Sequence, residues 1–162
     1  MREVLQFCQD LPQRELPPQE NLIDEGGTTG VLYILARGSV EVLKGDFQVN
    51  TVSEPGAVFG EVSVLLGKPH MATVRTMTPS TFYVIDDPRA FFRSHPNIAF
   101  LIAKLLAKRL HSVTSYLVDL KKQFEGSEDH LGMVDEVLES LVHNQEEGHV
   151  PGSDRDPDPT VY

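Results

Sequence analysis

From Pro12 to about residue 85, apolar side chains come in short runs that alternate with polar ones and are broken by glycine, proline and acidic clusters. This is the pattern of a small all-β sandwich or barrel. Leu22-Ile23 precedes a turn at Asp24-Glu25-Gly26-Gly27. Val31 to Leu43 alternates around Gly38, a turn or bulge position, with Leu32, Ile34, Val40 and Val42 expected to point inward and Glu41 and Lys44 outward. Gly45-Asp46 is a tight reversal into Phe47 to Val52, giving a hairpin, and Pro55-Gly56 makes the next turn. Thr73 to Met77 and Thr81 to Ile85 are two further strands separated by Thr78-Pro79-Ser80, and Asp86-Asp87-Pro88 closes the β region.

Outside this region the apolar period changes to three and four. Val4, Leu5, Cys8 and Leu11 predict a short helix over residues 1–11, ended by Pro12. Residues 89–95 make one short turn, and Pro96 suits the first position of a long helix running to about Phe124. Along that helix Ala103, Leu106, Leu110, Val113, Leu117, Leu120 and Phe124 form a heptad seam, which predicts a parallel homodimer through residues 103–124. Leu101, Ile102 and Leu105 offer a second face for the β domain. The competing reading packs the seam on the chain's own β domain alone.

Gly126 interrupts the helix, and Ser127 with Glu128 and Asp129 reads as the cap of a second, acidic helix over about 128–144. Leu131, Val134, Leu138 and Leu141 keep one stripe on it; whether it folds back or extends the dimer is left open. From residue 146 to 162 proline, glycine and aspartate dominate, so a disordered acidic tail is expected. The organisation is thus a β domain with a long helix at 1–124, an accessory helix at 127–144, and the tail.

A length of 162 residues suits one domain with appendages. Cys8 is the lone cysteine, so no intramolecular disulfide forms. With no signal-like or membrane-length apolar run, a reducing cytoplasm and no membrane association are expected. The formal net charge of −10 is uneven: residues 1–122 hold 13 basic and 13 acidic side chains, whereas 123–162 hold Arg155 alone against 11 acids. A basic face for nucleic acid is therefore not expected.

The candidate chemistry lies in residues 59–74, FGEVSVLLGKPHMATV. Gly60 and small Ser63 leave backbone N–H groups approachable, the apolar run Val62, Val64, Leu65 and Leu66 is long enough for about one buried helical turn, and Gly67 and Pro69 end it. Donors at such a turn suit an anion. The stretch resembles the phosphate-binding cassette of the cyclic nucleotide-binding domain family, F-G-E, a short helix, then R-x-A-[ST]-V. Phe59-Gly60-Glu61 and Ala72-Thr73-Val74 fall at the family's spacing, while His70 stands where the family has the arginine that clamps the cyclic phosphate. The glycines at 26, 30, 38, 56 and 60 also fall roughly at the family's turns, and the likeness covers about residues 10–120.

The resemblance implies a mainly β, eight-stranded double-stranded jelly roll, a β-helix-like barrel, flanked by a short N-terminal helix, a long C-terminal helix and a second short helix. It implies a cyclic nucleotide as ligand rather than cofactor. Glu61 would accept from the ribose 2′-hydroxyl, and N–H groups of Gly60, Val62, Ser63 and Ala72 would cradle phosphate. Phe59 and Thr73 frame the cassette. His70 would replace a permanent bidentate charge by a group fully charged only near and below its ordinary pKa of about 6.5. Met71 lacks the hydroxyl that often contacts guanine in cGMP-preferring relatives, which points to cAMP. On the long helix Lys108 to Ser115 resembles the base-capping segment of bacterial cAMP receptors, with Thr114 as the base contact. His70 as an ordinary surface histidine, and Thr114 as an ordinary helix-surface threonine, are the plainer alternatives.

Catalysis is not expected. The six histidines show no metal-ligand spacing, Cys8 has no activating neighbour and Ser63 no nucleophile elbow. The expected function is a stand-alone cyclic nucleotide sensor that signals through its long helix, and no catalytic or metal residues are assigned. The alternative is a degenerate fold that no longer binds nucleotide and serves as a protein-interaction module, or that binds another small anion.

Overall fold

The computed structural model describes residues 2–123, Val134 and residues 137–141. These fall into two units, Met1–Lys104 and Leu105–Tyr162, described separately. In the first unit a 3-10 helix, Arg2–Phe7, precedes strands β1 (Gln13–Leu16), β2 (Asn21–Ile23), β3 (Leu32–Arg37), β4 (Val40–Lys44), β5 (Phe47–Val52) and β6 (Val58–Phe59). Helix α1 (Glu61–Leu66), β7 (Thr73–Thr76), β8 (Ser80–Ile85) and α2 (Pro88–Ser94) follow, and α3 (Pro96–Gln123) runs on into the second unit.

The strands form two four-stranded antiparallel sheets, β1-β8-β3-β6 and β2-β7-β4-β5. The mainly β, eight-stranded fold expected from the sequence is present, with the correction that the sheets do not close into a barrel. Among the described residues no strand belongs to both sheets. The N-terminal segment is also corrected. It is a 3-10 helix six residues long rather than a helix to residue 11, because β1 and its pairing with β8 claim the chain from Gln13.

The core lies between the sheets. Leu16, Tyr33, Leu35, Phe59 and Phe82 come from one, and Leu22, Ile23, Val40 and Val74 from the other. Successive strand residues face opposite sides, so with Tyr33 and Leu35 in this cluster Leu32 and Ile34 face the reverse side, contrary to the inward direction expected of them. They are nevertheless fully buried. Strand β3 is thus covered on both faces, as its unbroken Leu-Tyr-Ile-Leu run suits. Glu41, expected to face water, is buried beside its cross-strand partner Arg75, whose Nε donates to its Oε1 at 2.8 Å.

Turn chemistry fixes the register. Gly38 has φ 102°, and a Cβ there would sit 2.7 Å from Ser80 Cα, so only glycine lets the β3–β4 turn pass β8. Thr76, fully buried, ties β7 to the β1–β2 connection: its Oγ1 accepts from Glu20 N at 3.0 Å and donates to Pro17 O at 2.6 Å. Strand β5 is the open edge of its sheet. It is exposed along most of its length, with Phe47 82% exposed, and its pairing with β4 slips at Val42/Leu43.

Asp87 caps α2 by accepting from Ala90 N at 2.9 Å. Helix α3 begins at Pro96 and buries Ile98 and Ile102. In the second unit Leu110, Val113 and Tyr116 are exposed, whereas Leu117 and Leu120 are half-buried. Of the accessory helix expected over 128–144, Val134 and residues 137–141 are helical. Phe124, the break at Gly126, the cap at Ser127 and the tail 146–162 lie outside the described residues. Among the described residues no helix is long and apolar enough to cross a membrane.

Candidate ligand-binding site

The cassette begins where β6 leaves the core. Phe59 is buried and pairs with Tyr33 of β3. The next residue, Gly60, caps α1 with φ 88° and ψ −3°. A Cβ on Gly60 would lie 2.6 Å from Val31 O and 3.8 Å from His70 Cε1. The position that only glycine can occupy is therefore hemmed in by Val31 O, by Ile23 Cδ1 at 3.7 Å and by the imidazole.

Helix α1 reverses the expected burial. Glu61 and Ser63 are its buried residues, while Leu65 and Leu66 of the apolar run are exposed. Ser63 can be buried because its hydroxyl donates to Lys68 O at 2.5 Å while its carbonyl accepts from the N–H groups of Gly67 and Lys68. It is thus a structural staple for the turn, and its contribution to a ligand would come from its N–H. Glu61, 4% exposed, opens the helix. Val62 is half-buried.

His70 is not a surface residue; it is 6% exposed. Its backbone is bridged to the β2–β3 loop in both directions, with His70 N donating to Gly27 O and Gly26 N to His70 O, both at 2.8 Å. Its Nε2 lies 2.9 Å from Thr29 Oγ1. Burial lowers the imidazole's pKa from 6.5, since desolvation penalises the cation. Met71, by contrast, is 63% exposed. Ala72 is half-buried, and Thr73 opens β7 with its Oγ1 accepting from Glu25 N at 3.0 Å.

A second set of contacts was not legible as functional. Glu25 accepts from Gly45 N at 2.8 Å and pairs with Lys44, whose Nζ also donates to Met71 O at 2.8 Å. The hairpin tip, the β2–β3 loop and the cassette are thereby tied at one carboxylate. The Gly45 N–H first, and Lys44 second, hold the Glu25 carboxyl below its ordinary value. Thr29, Glu25 and Lys44 are the residues sequence reasoning missed. The usable signal was the antiparallel run of β2 beside β7, which sets loop 24–30 against residues 70–73.

Phe59 to Ser63 and His70 to Thr73 thus share one region of the first unit. Thr114 lies in the second unit, where its hydroxyl donates to Leu110 O at 2.9 Å. Among the described residues no group of three or more His, Cys, Asp or Glu is placed to hold a metal, and no buried side-chain nitrogen or oxygen lacks a hydrogen-bond partner.

The two sheets, with a glycine-opened cassette between β6 and β7, define a class. The family model of the cyclic nucleotide-binding domain matches residues 13–93, and the chain belongs to that family. It is 34% identical over 92 residues to a cAMP-dependent protein kinase regulatory subunit of Yarrowia lipolytica, covering 57% of this chain and 23% of that protein. To the potassium channel AKT1 of Oryza sativa it is 36% identical over 76 residues, 45% of this chain and 8% of the channel. The Thermus thermophilus catabolite activator protein superposes with a TM-score of 0.64 at 25% identity, over 73% of this chain and 58% of that one. The chain therefore spans less than a quarter of these two sequence relatives.

Proposed function

We propose that this domain is a regulatory module that binds cAMP in preference to cGMP and passes the bound state to a partner through α3. The observation that carries the reading is the buried His70 beside Gly60 at the family's arginine position, with Met71 exposed. N–H groups from Gly60 to Ser63 and at Ala72 would cradle the phosphate, and Glu61 would accept from the ribose. The preference for cAMP rests on Met71, which offers guanine no hydroxyl, and is in keeping with the Yarrowia relative being named for cAMP. Exposure of Leu110 and Val113 supports a parallel homodimer through α3.

Exchanging a charged bidentate contact for histidine weakens binding by about 1.5–3 kcal/mol, or one to two decades in Kd, and leaves room for micromolar affinity. A bound phosphate raises the imidazole's pKa from its lowered ligand-free value, so binding takes up a proton and tightens as pH falls. Calorimetric titration with cAMP and cGMP at about pH 6 and 7.5, which bracket histidine titration, tests this. Expected are micromolar cAMP binding, tighter at the lower pH, and stronger, pH-independent binding by His70→Arg. No heat with either nucleotide would end the cyclic nucleotide reading. One observation favours a second reading, a protein-interaction module without nucleotide: His70 Nε2 already has a partner in Thr29.

A further inference from the structure

We propose that Thr29 is the positioning residue of His70, fixing which ring nitrogen carries the proton and allowing the buried ring to take up a second one. The proposal deepens the reading above. It rests on the geometry around the ring. The two backbone hydrogen bonds between His70 and Gly26-Gly27 hold the β2–β3 loop against the cassette, and three residues after Gly26 the Thr29 hydroxyl reaches Nε2 at 2.9 Å.

A hydroxyl has one hydrogen and two acceptor sites. Val31 N, at 3.3 Å, occupies one acceptor site of Thr29 Oγ1. In the proposed arrangement the hydroxyl hydrogen points to Nε2 when His70 is neutral, which leaves the imidazole proton on Nδ1. When the ring takes a second proton, Nε2 becomes a donor. The hydroxyl rotates, and the remaining acceptor site receives Nε2–H. Nε2 keeps its partner in both states, and Nδ1–H stays a donor throughout. Nδ1 is therefore the ring atom left to meet an anionic oxygen, and a phosphate there favours the doubly protonated ring.

On the β2–β3 loop, Asp24 accepts from Asn21 Nδ2 at 2.6 Å and Glu25 pairs with Lys44. Glu61 stands buried at the start of α1, and Lys68 is exposed on the segment leading to His70. Lys44 is engaged with Glu25 and Met71 O. The neutral Thr29 hydroxyl thus contacts Nε2 directly, while Asp24 and Glu25 are engaged with Asn21 and Lys44.

The test is long-range ¹H–¹⁵N NMR of the histidine rings in the full ligand-free chain from about pH 5 to 8, with His70→Gln identifying the His70 signals. Wild type, Thr29→Val and Thr29→Ser are compared, and each is then titrated with cAMP. In wild type, neutral His70 should carry its proton on Nδ1. Thr29→Val should lose that preference and titrate about one pH unit lower, a tenfold change in proton affinity, with a similar loss of cAMP affinity at pH 6. Thr29→Ser should behave as wild type. A Thr29→Val ring with unchanged tautomer and titration overturns the proposal, whether or not cAMP binds. A shifted ring in a protein that binds no nucleotide upholds the proposal and rejects the cyclic nucleotide reading instead.

Discussion

Helix α1 is bracketed by two left-handed glycines that differ in one respect, and the difference predicts unequal costs of the same substitution. Gly60 has φ 88° and Gly67 φ 64°, so alanine at either pays about 1–2 kcal/mol for a left-handed backbone, offset equally by a stiffer unfolded chain. At Gly67 nothing lies within 4 Å of the added methyl, whereas at Gly60 the methyl meets Val31 O at 2.6 Å, roughly 0.8 Å inside ordinary contact. Neither partner yields easily, because Phe59 is paired with Tyr33 just beyond both. Displacing them adds about 1–3 kcal/mol, the usual range for overpacking. With the common offset of about 0.4–1 kcal/mol taken off, Gly60→Ala should therefore cost about 1–4.6 kcal/mol and Gly67→Ala about 0–1.6. Each kcal/mol corresponds to roughly 4–8 °C in Tm for a domain near this size. Urea denaturation followed by far-ultraviolet circular dichroism suits a chain without tryptophan. Equal losses for the two variants would refute the claim that Gly60 is required by the backbone of Val31.

Three further outcomes are expected. Glu25 titrates below its ordinary value in the folded state because of Gly45 N–H and Lys44, so its stabilisation is present above the unfolded value and lost as pH falls through the folded one. Urea midpoints at pH 7, 5 and 3.5 should fall more steeply for wild type than for Glu25→Gln. Thr76→Val strips Glu20 N and Pro17 O of their buried partner and should cost about 2–3 kcal/mol by thermal or urea unfolding. Cys8, fully buried and pushed up to about 11 by desolvation, should resist a disulfide reagent at pH 8 in the folded protein and react fully in denaturant.

The cassette was readable because its signals are local. A glycine after an aromatic, a short apolar run and a glycine-proline stop all act on neighbours in sequence. Gly38 and Gly45 were readable for the same reason, and both take positive φ. Contacts that join distant segments were not. Thr29 meets His70 across 41 positions, and Glu25 meets Lys44 across 19; such pairs appear only once the strand register is known. The failures of direction share a cause. Leu65 and Leu66 were read as buried because they are apolar, yet α1 turns Glu61 and Ser63 inward, where Ser63 bonds Lys68 O. Likewise Glu41 was read as exposed because it is charged, until cross-strand Arg75 gave it a partner. Leu32 and Ile34 could not be assigned a side by alternation in a run apolar at every position.

The slip in pairing between β4 and β5 bears on whether a further strand can add to that edge. An open edge strand with Phe47 and Val49 exposed is a template on which another strand can grow. Growth needs an unbroken ladder, and the irregularity at Val42/Leu43 interrupts the pairing three residues from the turn. A bulge of this kind bends and twists the edge, so a second strand laid along β5 would fall out of register before it had formed a full set of bonds. Glu25, by gripping Gly45 N and Lys44 at the tip, holds that twist in place.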